Sequence, residues 1–179
     1  MKYRTIVADP PWHYRTSLPR WKGAAESGPR SEVPYSTMSI PEICALPVAG
    51  LAGTDAHLYL WTTNTHLEHA WSILKAWGFR YSTLLTWCKP PRGFAGFPTY
   101  NCTTEYVVFG RKGSLKADTR IDTSWFQWPR GAHSAKPEAF LDMVEQVSPG
   151  PYLEMFARRN RLGWDTWGNE CLEHVEVSV

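Results

Sequence analysis

Asp9-Pro10-Pro11-Trp12 sets a carboxylate, two residues without a backbone N–H and a large aromatic ring in direct succession. An apolar run, Tyr3 to Ala8, leads into it and reads as a short buried strand. Two consecutive prolines cannot continue a ladder, so Asp9 is expected at the carboxyl end of that strand, where open α/β sheets place their ligands. The prolines fix φ and leave their carbonyls in set positions with no competing local donor expected, while Trp12 offers a flat face. That grouping suits a planar base with an exocyclic amine. Two acceptors would take its N–H bonds and favour a more pyramidal, more nucleophilic nitrogen, and the ring would hold the base by stacking. The competing reading is a strand end whose aspartate caps a turn and whose tryptophan fills the core.

Other polar residues sit where chemistry is possible. Lys136 stands at the start of a helix introduced by Pro137, a place the helix dipole makes poor for a cation unless an anion is shared there. Glu105 enters a strand near a sheet end, and an edge-strand surface carboxylate is its plain alternative. Arg158-Arg159-Asn160-Arg161 follows an apolar strand, again at the binding edge of a sheet. Arg15, Arg20, Lys22 and Arg30 lie in a polar loop from His13 to Pro34, as suitable for phosphates as for solvent. His66 and His69 stand three apart on a predicted helix with no third ligand, so both are expected to face solvent and no metal site is expected.

Composition narrows the classes. A net charge of +2 and pI of about 8.4 make the whole molecule no strong polyanion binder, so attraction to nucleic acid would come from local clusters. Cys44, Cys88, Cys102 and Cys171 are far apart and form no C-x-x-C pair, which argues against a zinc ribbon and fits reduced thiols. No stretch approaches the ~20 apolar residues of a membrane span, and the N-terminus lacks a signal-peptide core; a cytoplasmic protein without membrane association is expected. Neither G-x-G-x-x-G nor the phosphate-cradling G-x-x-x-x-G-K-[ST] occurs, leaving NAD chemistry and nucleotide hydrolysis without support.

The elements that must hold these residues alternate. Strands are predicted at Tyr3 to Ala8, His57 to Thr62, Phe79 to Trp87, Thr104 to Phe109 and Tyr152 to Ala157. Helices are predicted from Ile40 to about Leu46, with Ser39 as N-cap and Glu42 closing a capping box, from His66 to Trp77, and from Pro137 to Val147. Gly110 to Gly113 reads as a turn, and Gly163 to Glu170 as a pocket wall. The pattern implies an α/β class with a mostly parallel sheet in one domain over residues 1–179.

Several of these runs, in this order, resemble the DPPW-bearing N6-adenine methyltransferases, the MT-A70 family, in the compact form of bacteria and phages. They are Asp9-Pro10-Pro11-Trp12, Pro34-Tyr35-Ser36-Thr37-Met38, Leu60-Trp61-Thr62, Glu105 with its strand, His133-Ser134-Ala135-Lys136-Pro137, Glu154-Met155-Phe156-Ala157-Arg158, and Gly163-Trp164 through Trp167-Gly168-Asn169-Glu170. The resemblance implies a Rossmann-like, S-adenosylmethionine-dependent fold in permuted order, with the catalytic strand first and the cofactor strand late. It implies that Asp9, Pro10, Pro11 and Trp12 form the catalytic motif, with Asp9 also near the cofactor ammonium. Trp12 and Tyr35 would line the base pocket, and Glu105 would shape it. Lys89, at the head of the second loop (Lys89 to Cys102), joins the substrate side. Lys136 would hold the cofactor carboxylate, Arg158 and Asn160 the ribose, Asn169 and Glu170 the ribose or adenine. Asn160 stands where the family often has histidine.

The implied reaction is methyl transfer to the N6 amine of adenine in nucleic acid, DNA being expected over RNA by analogy with the compact form. Two alternatives stay open: a non-catalytic nucleic-acid-binding subunit of the same fold, and a methyltransferase acting on cytosine N4. A homodimer or a partner subunit is compatible with either.

Overall fold

The computed structural model describes residues 2–13, 37–91, 99–129, 131 and 135–168. Its elements run β1 (Tyr3–Ala8), α1 (Ile40–Ala45), α2 (Val48–Leu51), β2 (Ala52–Thr62), α3 (Leu67–Ala76), β3 (Arg80–Cys88), β4 (Thr104–Lys112), β5 (Trp125–Phe126), α4 (Glu138–Val147), β6 (Tyr152–Met155) and β7 (Trp164–Trp167). One seven-stranded sheet has the order β5-β3-β4-β2-β1-β6-β7. β4 is antiparallel to both of its neighbours, and every other pairing is parallel. The mixed α/β sheet with the DPPW strand first in the chain and inside the sheet is the permuted arrangement expected.

Alternation along the central strands explains the layering. Ile6, Ala8, Leu58 and Leu60 face one side, where they pack with Ile43 of α1 and with Ala70, Ile73 and Leu74 of α3. Val7, Tyr59 and Trp61 face the other, against Phe140, Leu141 and Val144 of α4. With both faces covered, β1 needs apolar residues in succession rather than in alternation with polar ones. Each fully buried Ile, Leu or Phe contributes about 1.5–3 kcal/mol from area removed from water.

Several boundaries move, for physical reasons. β2 begins five residues before His57, since Ala52 pairs with Tyr3 and Ala56 with Lys112. β4 runs on to Lys112, so Gly110 to Lys112 are strand rather than turn; a Cβ at Gly110 would stand 3.1 Å from Leu74 and 3.2 Å from Phe79, a spacing only glycine fills comfortably. The turn waits for Gly113, whose φ is +62°. β6 stops at Met155 because Phe156 takes φ 62°, a left-handed conformation. α1 carries the predicted capping box of Ser39 and Glu42, while Pro137 is the N-cap of α4 rather than its first residue. Trp164–Trp167, expected only as a pocket wall, is an edge strand paired to β6. Among the described residues no helix is long and apolar enough to cross a membrane. Cys44, Cys88 and Cys102 are free thiols.

Candidate active site

The carboxyl ends of β1, β2 and β6 and the start of β4 meet at one edge of the sheet. Asp9 follows β1 directly, and its backbone N–H donates to Met155 O of β6 at 3.4 Å. Lys136, one residue ahead of the α4 cap, reaches back over the sheet. Its Nζ is 2.9 Å from Asp9 Oδ2 and 3.3 Å from Glu105 Oε2, and lies 5.1 Å from the ring centre of Trp61. Lys89 Nζ meets the other oxygen of Glu105 at 2.5 Å and lies over the Trp87 ring. The result is an alternating chain of charges, Asp9, Lys136, Glu105, Lys89.

Burial works to lower the pKa of the Lys136 ammonium, but Asp9 and then Glu105 outweigh it and hold it above its ordinary value. Burial works to raise Glu105, and Lys136 and Lys89 overcome it, keeping that carboxyl below its usual range. Lys136 therefore shares carboxylates at its helix start, and Glu105 lies on an interior strand rather than an edge. Both are fixed as charged groups.

Beside Asp9 a cleft opens between β1, β6 and α4. Val7, Trp61, Phe140 and Leu141 give it an apolar wall; Asp9, Lys136, Glu154, Phe156, Arg158 and Arg159 complete it. The loop after β6 is clasped to α4. Arg159 meets Glu138 at 2.6 Å, and Arg161 spans Glu138, Asp142 and Glu145 at 3.3, 2.6 and 2.9 Å. Asn160 Nδ2 donates to Thr166 Oγ1 at 3.0 Å, tying the loop to β7 as well. Gly168 closes the corner: a Cβ there would come within 2.2 Å of Ala157 O.

Three expectations are corrected. Trp12 does not offer an open face. It is 3% exposed and stacks on His66 with centroids 5.1 Å apart, so a histidine occupies the place proposed for a base. His66 accordingly faces inward, bonding Thr63 Oγ1 and His13 O, while His69 remains half-exposed. The proline carbonyls do have local donors: Trp12 N–H donates to Pro10 O at 2.9 Å and Met38 N–H to Pro11 O at 2.8 Å. A carbonyl has two lone pairs, so Pro10 O keeps one acceptor site beside Asp9.

Tyr35, Asn169 and Glu170 lie outside the described residues, as do the four loop cations, most of the first loop and half of the second. Glu154 and Phe156 carried no assigned role although they line the cleft. The signal was present: a glutamate inside the apolar run Tyr152 to Ala157 is a residue type almost never buried without cause. Arg161 had no such signal, because its three carboxylate partners come together only through helix periodicity.

Comparison with known proteins covers nearly the whole chain. The MT-A70 family model matches residues 3–170. The "Type II methyltransferase M.MunI" of Mycoplasma sp is 31% identical over 98% of this chain and 81% of the relative. The "Putative N(6)-adenosine-methyltransferase MT-A70-like" of Medicago truncatula is 30% identical over 94% of the chain. The "N(6)-adenosine-methyltransferase catalytic subunit METTL3" of Homo sapiens is 26% identical over the same share. The chain spans 26% and 28% of these last two relatives' length. Most of the relatives are named for adenosine, the ribonucleoside, which overturns the expected preference for DNA.

Proposed function

The chain belongs to the MT-A70 family of S-adenosylmethionine-dependent N6-adenine methyltransferases, and from that premise we propose how its residues divide the work. The cofactor is a zwitterionic amino acid joined through a sulfonium to a nucleoside. The cleft fits it: both signs of charge stand beside an apolar wall, and a buried Glu154 oxygen has no partner among the described residues. When bound, S-adenosylmethionine supplies the electrophilic methyl group that the adenine amine takes.

Asp9 and the remaining lone pair of Pro10 O accept the two amine hydrogens, leaving the nitrogen lone pair free to point into the cleft. Asp9 also holds the proton that the alkylated amine sheds, and no stronger base is needed. Lys136 holds Asp9 in place through the 2.9 Å contact, and its remaining donor capacity serves the cofactor carboxylate. Arg158 and Asn160, with Asn169 and Glu170 beyond the described residues, hold the nucleoside end. Glu105 and Lys89 form the far wall of the base pocket, with Tyr35 assigned there as well. Trp12 acts from beneath, its stack on His66 bracing the Asp9 turn.

The observation that carries this reading is the 2.9 Å contact between Asp9 and Lys136 at the mouth of the cleft. The acceptor is adenine in nucleic acid, and the relatives' names favour RNA. Likeness to the Mycoplasma relative along most of its length supports a compact bacterial or phage-type member. Incubation with methyl-labelled cofactor and RNA or DNA oligonucleotides separately, followed by digestion to nucleosides, tests it. N6-methyladenosine in the RNA arm is expected. Label on cytosine, or in neither arm, would overturn the assignment.

A further inference from the structure

Glu154 lies on β6, in register with Val7 of β1, two residues before Asp9. One carboxyl oxygen, Oε2, is buried and has no hydrogen-bond partner among the described residues, although the side chain lines the cleft that holds Asp9 and Lys136. A buried acceptor left unpaired in a native protein calls for a ligand, a water or a proton.

The charges around it are divided. Asp9 at the end of β1 and Glu138 on α4 oppose ionisation, while Arg159 and Arg161 from the following loop favour it. Arg159 is engaged by Glu138, and Arg161 by Glu138, Asp142 and Glu145. Lys136, ahead of α4, is taken by Asp9 and Glu105, and the Arg158 guanidinium lines the same cleft as Glu154. Burial is the largest influence, and the balance lifts the Glu154 carboxyl to about 7.

We propose that Glu154 is a proton-exchanging contact for the cofactor: largely protonated in the free protein below neutrality, it becomes a carboxylate when the hydrogen-bond donors and positive charge of S-adenosylmethionine enter the cleft, so binding in that range releases protons to solvent. The inference rests on the cofactor occupying this cleft. Cofactor capture then weakens as pH falls below neutrality, through a group that takes no part in methyl transfer.

Carbon-13 NMR of the full chain labelled at the glutamate carboxyl carbon tests it, with S-adenosylmethionine as the probe, no nucleic acid present, and Glu154→Gln identifying the signal. Expected is a signal that titrates near neutrality in the free protein and whose midpoint drops by at least about one pH unit with cofactor. That drop corresponds to roughly tenfold tighter binding of the ionised form. A free midpoint in the ordinary carboxylate range overturns the proposal. So does a signal that moves on binding but keeps its midpoint, an outcome that leaves the cleft assignment standing. A signal untouched by bound cofactor sinks both.

If Glu154→Gln does not fold, calorimetry on the wild-type chain at pH ~6.5, in buffers of different ionisation enthalpy, decides. Between about a half and one proton released per cofactor supports the proposal, and none overturns it.

Discussion

Lys136 Nζ stands 2.9 Å from Asp9 Oδ2 although the residues are far apart in the chain and on elements that do not pair. Asp9 is fixed by the sheet and Lys136 by the start of α4. The contact therefore measures how well the helix is seated over the Asp9 turn.

Asp9→Ala is expected to lower methyl transfer by at least about 10²–10³-fold, the scale seen when one preorganised polar group is removed from a reacting centre. The fold should survive, since the side chain's partner Lys136 retains Glu105. Single-turnover rates, with a thermal melt alongside, check this. Near-normal turnover would remove Asp9 from the chemistry.

Lys136→Met should cost stability as well as cofactor affinity, because it leaves two carboxylates facing each other across the cleft. About 2 kcal/mol in urea unfolding is expected, less than the ~3–5 kcal/mol of a fully buried pair because these side chains keep some solvent contact. Glu105→Gln in the same background should recover part of the loss.

The acid limb of stability carries two opposing contributions. Glu105, depressed in the folded state, stabilises above its ordinary 4.5, and this is lost as pH falls through the folded value. Glu154, raised to about 7 from 4.5, works the other way: the unfolded chain ionises first, so stability falls as pH rises between about 4.5 and 7. The slope is at most about 1.4 kcal/mol per pH unit. Chemical denaturation of the cofactor-free protein at several pH values should show that decline in the wild type and not in Glu154→Gln.

Ser148→Ala is expected to destabilise by about 1–3 kcal/mol with turnover per folded molecule unchanged. Its hydroxyl joins His57 Nδ1 and Tyr59 OH, each at 2.8 Å, so two buried groups would lose a partner. Urea midpoints and kcat, measured together, distinguish this from a catalytic effect.

Arg161→Ala should raise the KM for cofactor more than it lowers kcat. It removes the loop's ties to Asp142 and Glu145 and one of its two ties to Glu138, while leaving Asp9 untouched. An unchanged KM would mean that the Arg159–Glu138 pair and the Asn160 bond to β7 suffice to hold the loop.

Local chemistry was readable from the chain and distant partnership was not. The strand before Asp9, the Ser39 capping box and the apolar stripe of α4 follow from periodicity and from prolines, which act on neighbouring residues. The Trp12 stack needs His66, more than fifty residues later, and no local pattern marks that ring for burial. The pairing of Lys136 with Glu105 likewise requires the sheet to exist first. The nature of the anion sharing the helix start was legible; its identity as two protein carboxylates was not. β7 escaped notice because Trp-Asp-Thr-Trp is too short and polar to stand out before β6 is there to pair with it.

Among the described strands β1 comes first in the chain, yet its hydrogen-bonding neighbours are β2 and β6, the latter about 145 residues later. Until Tyr152–Met155 has left the ribosome, one edge of the strand carrying Asp9 has nothing to pair with. Such long-range closure is slow and leaves an open, apolar edge exposed to other chains in the meantime. The turn bearing Asp9 is thus completed only after β6 is made, and shortening the chain before β6 should yield aggregates rather than a smaller folded core.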